Sequence, residues 1–171
     1  ALGGQMGINT DETCLQMRML NTGKGPAVYS LRAQSDKKLY QMTMTKTLES
    51  QENLEVKQLM ITDLVIEDGA VQGVVTELGE FYKAQCVILA TGTYLKGKII
   101  IGDCTYSGGP MGQRSAEDLS QSLVKAGIKL MRFKTGTPAR VDRRTLHTED
   151  MTIQEGDTDG HAFSFMSQRK N

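Results

Sequence analysis

The sequence has no tryptophan, and aromatic residues make up only 5% of it. It has no charge excess either: twenty Lys and Arg balance twenty Asp and Glu. With no global field, any nucleic-acid contact has to come from a local basic patch. No apolar run approaches the roughly 20 residues that a membrane-spanning helix needs. The opening Ala1-Leu2-Gly3-Gly4 does not have the charged-then-apolar pattern of a signal peptide. Cys14, Cys86 and Cys104 are odd in number and show no short paired spacing. They therefore argue against a disulfide framework or a zinc knuckle and fit a reducing cytosol. Cys86 adjoins an apolar run and reads as a small core residue. The two histidines, His147 and His161, lack metal-ligand spacing, so no metal is assigned. No Ser/His/Asp or Cys/His arrangement stands out.

What remains is an ordinary globular composition, 39% hydrophobic and 23% charged, with ten Met and eighteen Gly. The 171 residues are enough for a domain with a core. Because the chain opens on Ala1 inside a loop-like stretch, it reads as a piece of a longer protein.

Residues 56–93 organise the chain. Residues 56–61 and 64–67 are strand candidates, and Asp68-Gly69 is a hairpin signal. Residues 71–78 return on the other side, with Gly73 as a possible bulge. Gly79 marks the next turn, and residues 81–83 start another strand. Residues 87–90 (Val-Ile-Leu-Ala) form a continuous apolar run, the pattern of a strand covered on both faces. It stops at Thr91-Gly92, where glycine lets a backbone approach a bulky ligand. This layout resembles the flavin-binding domain of glutathione-reductase-like flavoproteins. It is also the layout of many antiparallel sheets without a ligand.

Elsewhere, a weak helical stretch is expected over residues 12–19. Residues 20–26 form a Gly- and Pro-rich loop. That loop is either a cradle of free N–H groups with Lys24 beside an anion or a plain turn with a solvated lysine. Residues 35–49 read as a packing helix, with Ser35 as N-cap and Tyr40, Met44 and Leu48 as its stripe. Residues 95–101 read as a strand and 105–112 as a Gly-rich loop. Residues 115–125 read as a helix with capping-box spacing between Ser115 and Asp118, a Leu119/Leu123 stripe and a stop at Gly127. A Gly-rich loop feeding a capped helix suits an anion, and it is equally an ordinary cap. Residues 132–144 gather Arg132, Lys134, Arg140, Arg143 and Arg144, followed by acids at 149, 150, 155, 157 and 159. This segregation suits a phosphate-rich partner or a solvated loop beside an acidic linker.

Several segments together resemble the GidA/MnmG family. They are Arg18-Met19-Leu20-Asn21, Lys24-Gly25-Pro26-Ala27-Val28, Arg32-Ala33-Gln34 with Asp36 and Tyr40, Ala90-Thr91-Gly92-Thr93, Gly97-Lys98-Ile99, Tyr106-Ser107-Gly108-Gly109 and Lys134-Thr135-Gly136-Thr137-Pro138. The folate-dependent tRNA uridine methyltransferases share part of this pattern.

The resemblance implies an α/β or α+β fold: part of a glutathione-reductase-like FAD-binding domain with a β-meander over residues 1–93, and part of an inserted domain over residues 94–171. It implies a fragment of the flavoprotein that modifies carbon 5 of the wobble uridine in tRNA. The cofactor would be FAD, the reductant NADH, and the partner a GTPase subunit of the MnmE family. The parent would be a cytoplasmic homodimer that uses no metal. Ile61 would meet the adenine side of FAD through its backbone, Thr91 and Gly92 would lie along the cofactor, and Ser115 would contact it at the Gly-rich loop. Lys24 and residues 134–138 would face the active-site cleft.

Some features depart from the family pattern. There is no Gly-x-Gly-x-x-Gly turn. The three cysteines do not match the family's catalytic ones, so no catalytic residue is assigned here. Pro110 and Ala139 stand where many members have Arg and Pro. The alternatives are a generic NADH-dependent flavin oxidoreductase, a relative of the uridine methyltransferases, or a noncatalytic interaction domain.

Overall fold

A computed structural model describes residues 4–139, 141–158 and 162–167. His161, Arg140 and Asp159 lie outside this range. The chain forms two compact units, Ala1–Val56 with Ala139–Asn171, and Lys57–Pro138. Helices and strands mix, and every ladder between strands is antiparallel.

In the first unit, helix α1 (Gln5–Thr13) leads into strand β1 (Cys14–Leu20), which pairs with β2 (Ser30–Ser35). The helix expected over residues 12–19 is therefore mostly a strand. Its Leu15, Met17 and Met19 side chains serve a ladder as well as a helix, and the available partner strand decides. Two 3-10 turns, Thr22–Lys24 and Pro26–Val28, make the connection. Helix α2 (Lys37–Glu49) follows, with its N-cap at Asp36 rather than Ser35. The Asp36 carboxylate accepts from the N–H groups of Lys38 at 2.9 Å and Leu39 at 3.0 Å, which satisfies two otherwise orphan donors. Ser35 is already committed to the β1–β2 ladder opposite Cys14. Asn9, fully buried, ties the two helices by donating to the Tyr40 carbonyl at 3.1 Å.

The acidic stretch after residue 149 is not merely solvated. Residues 154–157 lie along β1: Gln16 donates to the Gln154 carbonyl at 2.8 Å, and the Asp157 N–H donates to the Met17 carbonyl at 2.8 Å. The Asp157 carboxylate accepts from the Met19 N–H. This covers backbone groups that an edge strand would otherwise expose. Gly156 is needed there, because a Cβ would come within 2.8 Å of the Gln16 side chain.

In the second unit, β3 (Ile61–Glu67), β4 (Ala70–Thr76) and β5 (Phe81–Lys83) form a meander in the order β3-β4-β5. The Asp68-Gly69 turn has both residues at positive φ, 49° and 77°, which matches its hairpin chemistry. The register slips between Val65 and Ile66, opposite Gly73, so the bulge falls where the glycine signalled it. A side chain at Gly73 would collide with the Tyr82 carbonyl at 2.2 Å. The first strand begins at Ile61, not at residue 56.

The largest departure is at residues 87–90, which belong to no strand. Ile88 is 92% exposed and Cys86 is exposed too, so neither the covered strand nor the core cysteine is found. An apolar run specifies burial, and it becomes a strand only where a neighbour supplies the ladder. None pairs with it among the described residues.

Beyond Gly92, a hairpin of β6 (Lys98–Ile101) and β7 (Cys104–Ser107) replaces part of the expected Gly-rich loop. Helix α3 (Leu119–Lys125) packs on β3. Leu119 and Leu123 are buried as the stripe required, and Gly127 ends the helix at φ 84°. The helix starts four residues later than expected, because residues 94–97 and 114–116 pair first. Leu95 bridges Ala116, with Lys96 N–H to the Ala116 carbonyl at 2.8 Å and Ala116 N–H to the Tyr94 carbonyl at 2.9 Å. Among the described residues, no helix is long and apolar enough to cross a membrane.

Candidate functional site

The second unit holds all four residues singled out for cofactor contact. Thr91 and Gly92 open a tight turn, closed by the Tyr94 N–H on the Thr91 carbonyl at 3.0 Å. Gly92 has φ 53°, and a Cβ built there would meet nothing within 4 Å. The turn therefore offers bare, accessible backbone, and its glycine is required by conformation rather than by crowding.

Ser115 does not cap a helix. Its hydroxyl accepts from the Gly97 N–H at 2.6 Å and reaches the Tyr94 carbonyl at 3.1 Å. The Glu117 carboxylate is a second acceptor for its one hydrogen. Ser115 thus locks the 91–97 turn to the 108–117 segment. Gly97 and Gly109 permit that closeness: a Cβ at Gly97 would lie 2.4 Å from the Gly108 carbonyl, and one at Gly109 would lie 2.7 Å from the Tyr94 ring. The Tyr94 hydroxyl donates to the Gln113 side chain. The loop is held by packing and hydrogen bonds, not by an open cradle of N–H groups.

Ile61 opens β3 opposite Thr76. It connects to the turn cluster through backbone and one ion pair. The Glu77 N–H donates to the Met60 carbonyl at 2.9 Å, and the Glu77 carboxylate meets Arg114 at 2.8 Å. The Arg114 side chain is 74% exposed, so the pair contributes at most about 1 kcal/mol and serves mainly to orient.

A cavity of about 210 Å³ lies beside this cluster, lined by Lys96, Lys98, Arg132, Tyr106, Ser107 and Glu117 among others. The Ser107 hydroxyl donates to Glu117. That bond is the chief reason the Glu117 carboxyl sits below the usual range. Ser115, Lys96 and Arg132 add to the effect, and burial opposes it. Sequence reasoning missed the cavity because its lysines and its arginine are more than thirty positions apart. A second cavity, of about 370 Å³, is lined by Thr62, Asp63, Glu77, Asp118, Ser122 and Lys125 among others.

The basic stretch is divided between the two units. Arg132 and Lys134 belong to the second unit, and Arg143 and Arg144 to the first. Arg144 is held by Asp142, with 2.6 Å between guanidinium and carboxylate. The Asp142 carboxyl is pushed down by that contact, and the Arg144 pKa is raised. Lys24 is exposed at the end of its 3-10 turn, which begins after Asn21 in the left-handed region at φ 62°. His147, Glu149 and Asp150 bring ligand-type atoms within 4.8 Å of one another, but all three are exposed.

Comparison with known proteins gives a consistent result. The sequence model of the family described as "Glucose inhibited division protein A" matches residues 1–171. The protein named tRNA uridine 5-carboxymethylaminomethyl modification enzyme MnmG from Heliobacterium modesticaldum is 54% identical over 99% of this chain and 26% of its own length. The protein of the same name from Clostridium novyi is 56% identical over 98% of this chain and 27% of its own length. The structure of GidA from Aquifex aeolicus in its form I crystal superposes with a TM-score of 0.88 at 46% identity, covering 98% of this chain and 28% of that one. The chain therefore spans about a quarter of the length of the curated relatives it matches.

Proposed function

Starting from the fact that the chain belongs to the glucose inhibited division protein A family, we propose that it is part of a flavoenzyme that modifies carbon 5 of the wobble uridine in tRNA. The observation that carries this reading is the identity of 54% and 56% to two proteins named for that modification, spread over nearly the whole chain. We assign residues 1–93 to part of a glutathione-reductase-like FAD-binding domain and residues 94–171 to part of an inserted domain. The complete enzyme is a cytoplasmic homodimer that is reduced by NADH and works with a GTPase subunit of the MnmE family.

In this reading the chain positions the cofactor and carries no catalytic group. FAD supplies the electron transfer when bound. The backbone at Thr91-Gly92 fits a flat ring system, since no side chain projects from Gly92 and the space beside it is open. Ile61 contributes its backbone near the adenine. Ser115 has one lone pair left after accepting from Gly97, so its hydroxyl acts toward the cofactor as an acceptor. Its main contribution is to hold the Thr91–Tyr94 turn in place.

The test is complementation. The complete protein is expressed in a bacterium lacking its own copy of the gene, and wobble uridines of total tRNA are analysed by mass spectrometry. Return of the carboxymethylaminomethyl group at carbon 5 is expected. Unmodified uridine alongside folded, flavin-loaded protein would leave the chain as a flavoprotein of another activity.

A further inference from the structure

We propose that the cavity between Lys96, Lys98 and Arg132 binds a phosphodiester of single-stranded RNA, with Tyr106 as the platform for the adjoining base. The inference rests on tRNA being the substrate and adds to it a contact site. Three cations face one carboxylate, Glu117, across about 210 Å³. That volume is below the roughly 300 Å³ at which small-molecule clefts begin, so it suits one phosphate group rather than a whole dinucleotide. Tyr106, which lines the same cavity, is 51% exposed. A cationic groove beside an exposed aromatic is the combination that single-stranded nucleic acid uses, phosphate on charge and base on ring.

The backbone supports the assignment. Lys96 stands in the left-handed region at φ 45°, a conformation that side chains other than glycine, asparagine and aspartate adopt at a cost. It is held from both sides: its N–H donates to the Ala116 carbonyl at 2.8 Å, and its carbonyl accepts from the Arg132 guanidinium at 2.8 Å. A strained residue fixed by its surroundings is a mark of a binding site. The same hydrogen bond seats Arg132 at the cavity wall. Lys98 opens β6 directly opposite Ser107, and Ser107 holds Glu117 by its hydroxyl. Lys98 is thus on a ladder and Glu117 is tied to one, while Lys96 and Arg132 are held by backbone hydrogen bonds.

The test uses the complete protein and a fluorescent anticodon stem-loop RNA in filter binding across a salt series. Lys96→Gly with Lys98→Ala relieves the backbone strain while removing two charges. Binding near 0.1 M salt should fall at least tenfold, and the slope of log affinity against log salt should shrink by about 0.7, the value for one single-strand phosphate contact. Glu117→Gln removes the opposing charge and should tighten binding two- to fivefold. Lys98→Gln, at an exposed strand position, replaces the double variant should that one not fold. An unchanged slope, or a Glu117→Gln variant that binds as weakly as the lysine variants, overturns the proposal. Full competition by inorganic phosphate with no change in slope would mark a small-anion site and overturn it too. Wild-type protein that binds the RNA but does not modify tRNA would sink the enzymatic reading and leave the cavity standing. Active wild type with unchanged slopes in the variants would do the reverse.

Discussion

Gly92 and Ser115 do different jobs in one turn, and substitution separates them. At Gly92 the obstacle to a side chain is φ 53°, not space. Valine there should cost about 1–2 kcal/mol, the usual penalty for a left-handed residue, whereas asparagine tolerates the region. The melting temperature should therefore drop for Gly92→Val and hold for Gly92→Asn. If the backbone meets the cofactor, flavin content of the complete protein should fall in both variants. Full flavin content in the stable Asn variant would remove this turn from the cofactor site. Ser115→Ala strips the Gly97 N–H of its acceptor at 2.6 Å, a loss of about 1 kcal/mol for a half-buried bond. Denaturant unfolding should report it. A stability equal to wild type would mean that water replaces the hydroxyl and that the lock is not structural.

At the scale of elements, one carboxylate ties the chain after residue 161 to helix α1. Asp11 accepts from the N–H groups of Phe163 at 2.8 Å and Ser164 at 2.9 Å and from the Ser167 hydroxyl at 2.6 Å. Burial pushes its carboxyl up, but these three hydrogen bonds together outweigh burial and hold it below its ordinary 3.8. A depressed native value means the tether is fully present above the unfolded value and is lost as pH falls through the lower native one. Amide protection at Phe163 and Ser164, taken relative to intrinsic exchange at each pH, should thus stay high at neutral pH and fall only below about pH 4, near the unfolded carboxylate value. Asp11→Ala should release both amides at every pH, at a cost on the order of 1 kcal/mol once solvent exposure is allowed for. Unchanged exchange in that variant would refute the tether. This contact was not legible in the sequence, since its partners lie more than 150 positions apart. What was legible had local chemistry behind it. Asp68-Gly69 supplied the two positive φ angles of a hairpin, Leu119 and Leu123 the stripe of α3, and Gly127 its stop. Residues 87–90 misled because apolar character implies burial without naming a partner strand. Ser115 misled because a serine three positions before an acid looks the same whether it caps a helix or, as here, crosslinks two loops.

For the molecule as a whole, the deciding quantity is how much of a dinucleotide site 171 residues can supply. The contacts assigned to this chain are backbone at Ile61, Thr91 and Gly92 and one hydroxyl lone pair at Ser115. None of them is a cation or a free helix N-terminus for the pyrophosphate. The strongest part of such sites elsewhere is a glycine-rich turn that aims a helix N-terminus at two phosphates, and no Gly-x-Gly-x-x-Gly occurs in this sequence. Helix α3 offers no substitute: it runs only Leu119–Lys125, and Asp118 at its start would repel an anion. The 171-residue chain on its own should therefore hold FAD weakly or not at all, and the complete protein should purify yellow. Equilibrium dialysis measures this directly, with circular dichroism run in parallel to establish that the isolated chain is folded. Stoichiometric, tightly held flavin on the isolated chain would show that the Thr91-Gly92 turn and the Ser115 loop do far more of the binding than their open geometry allows.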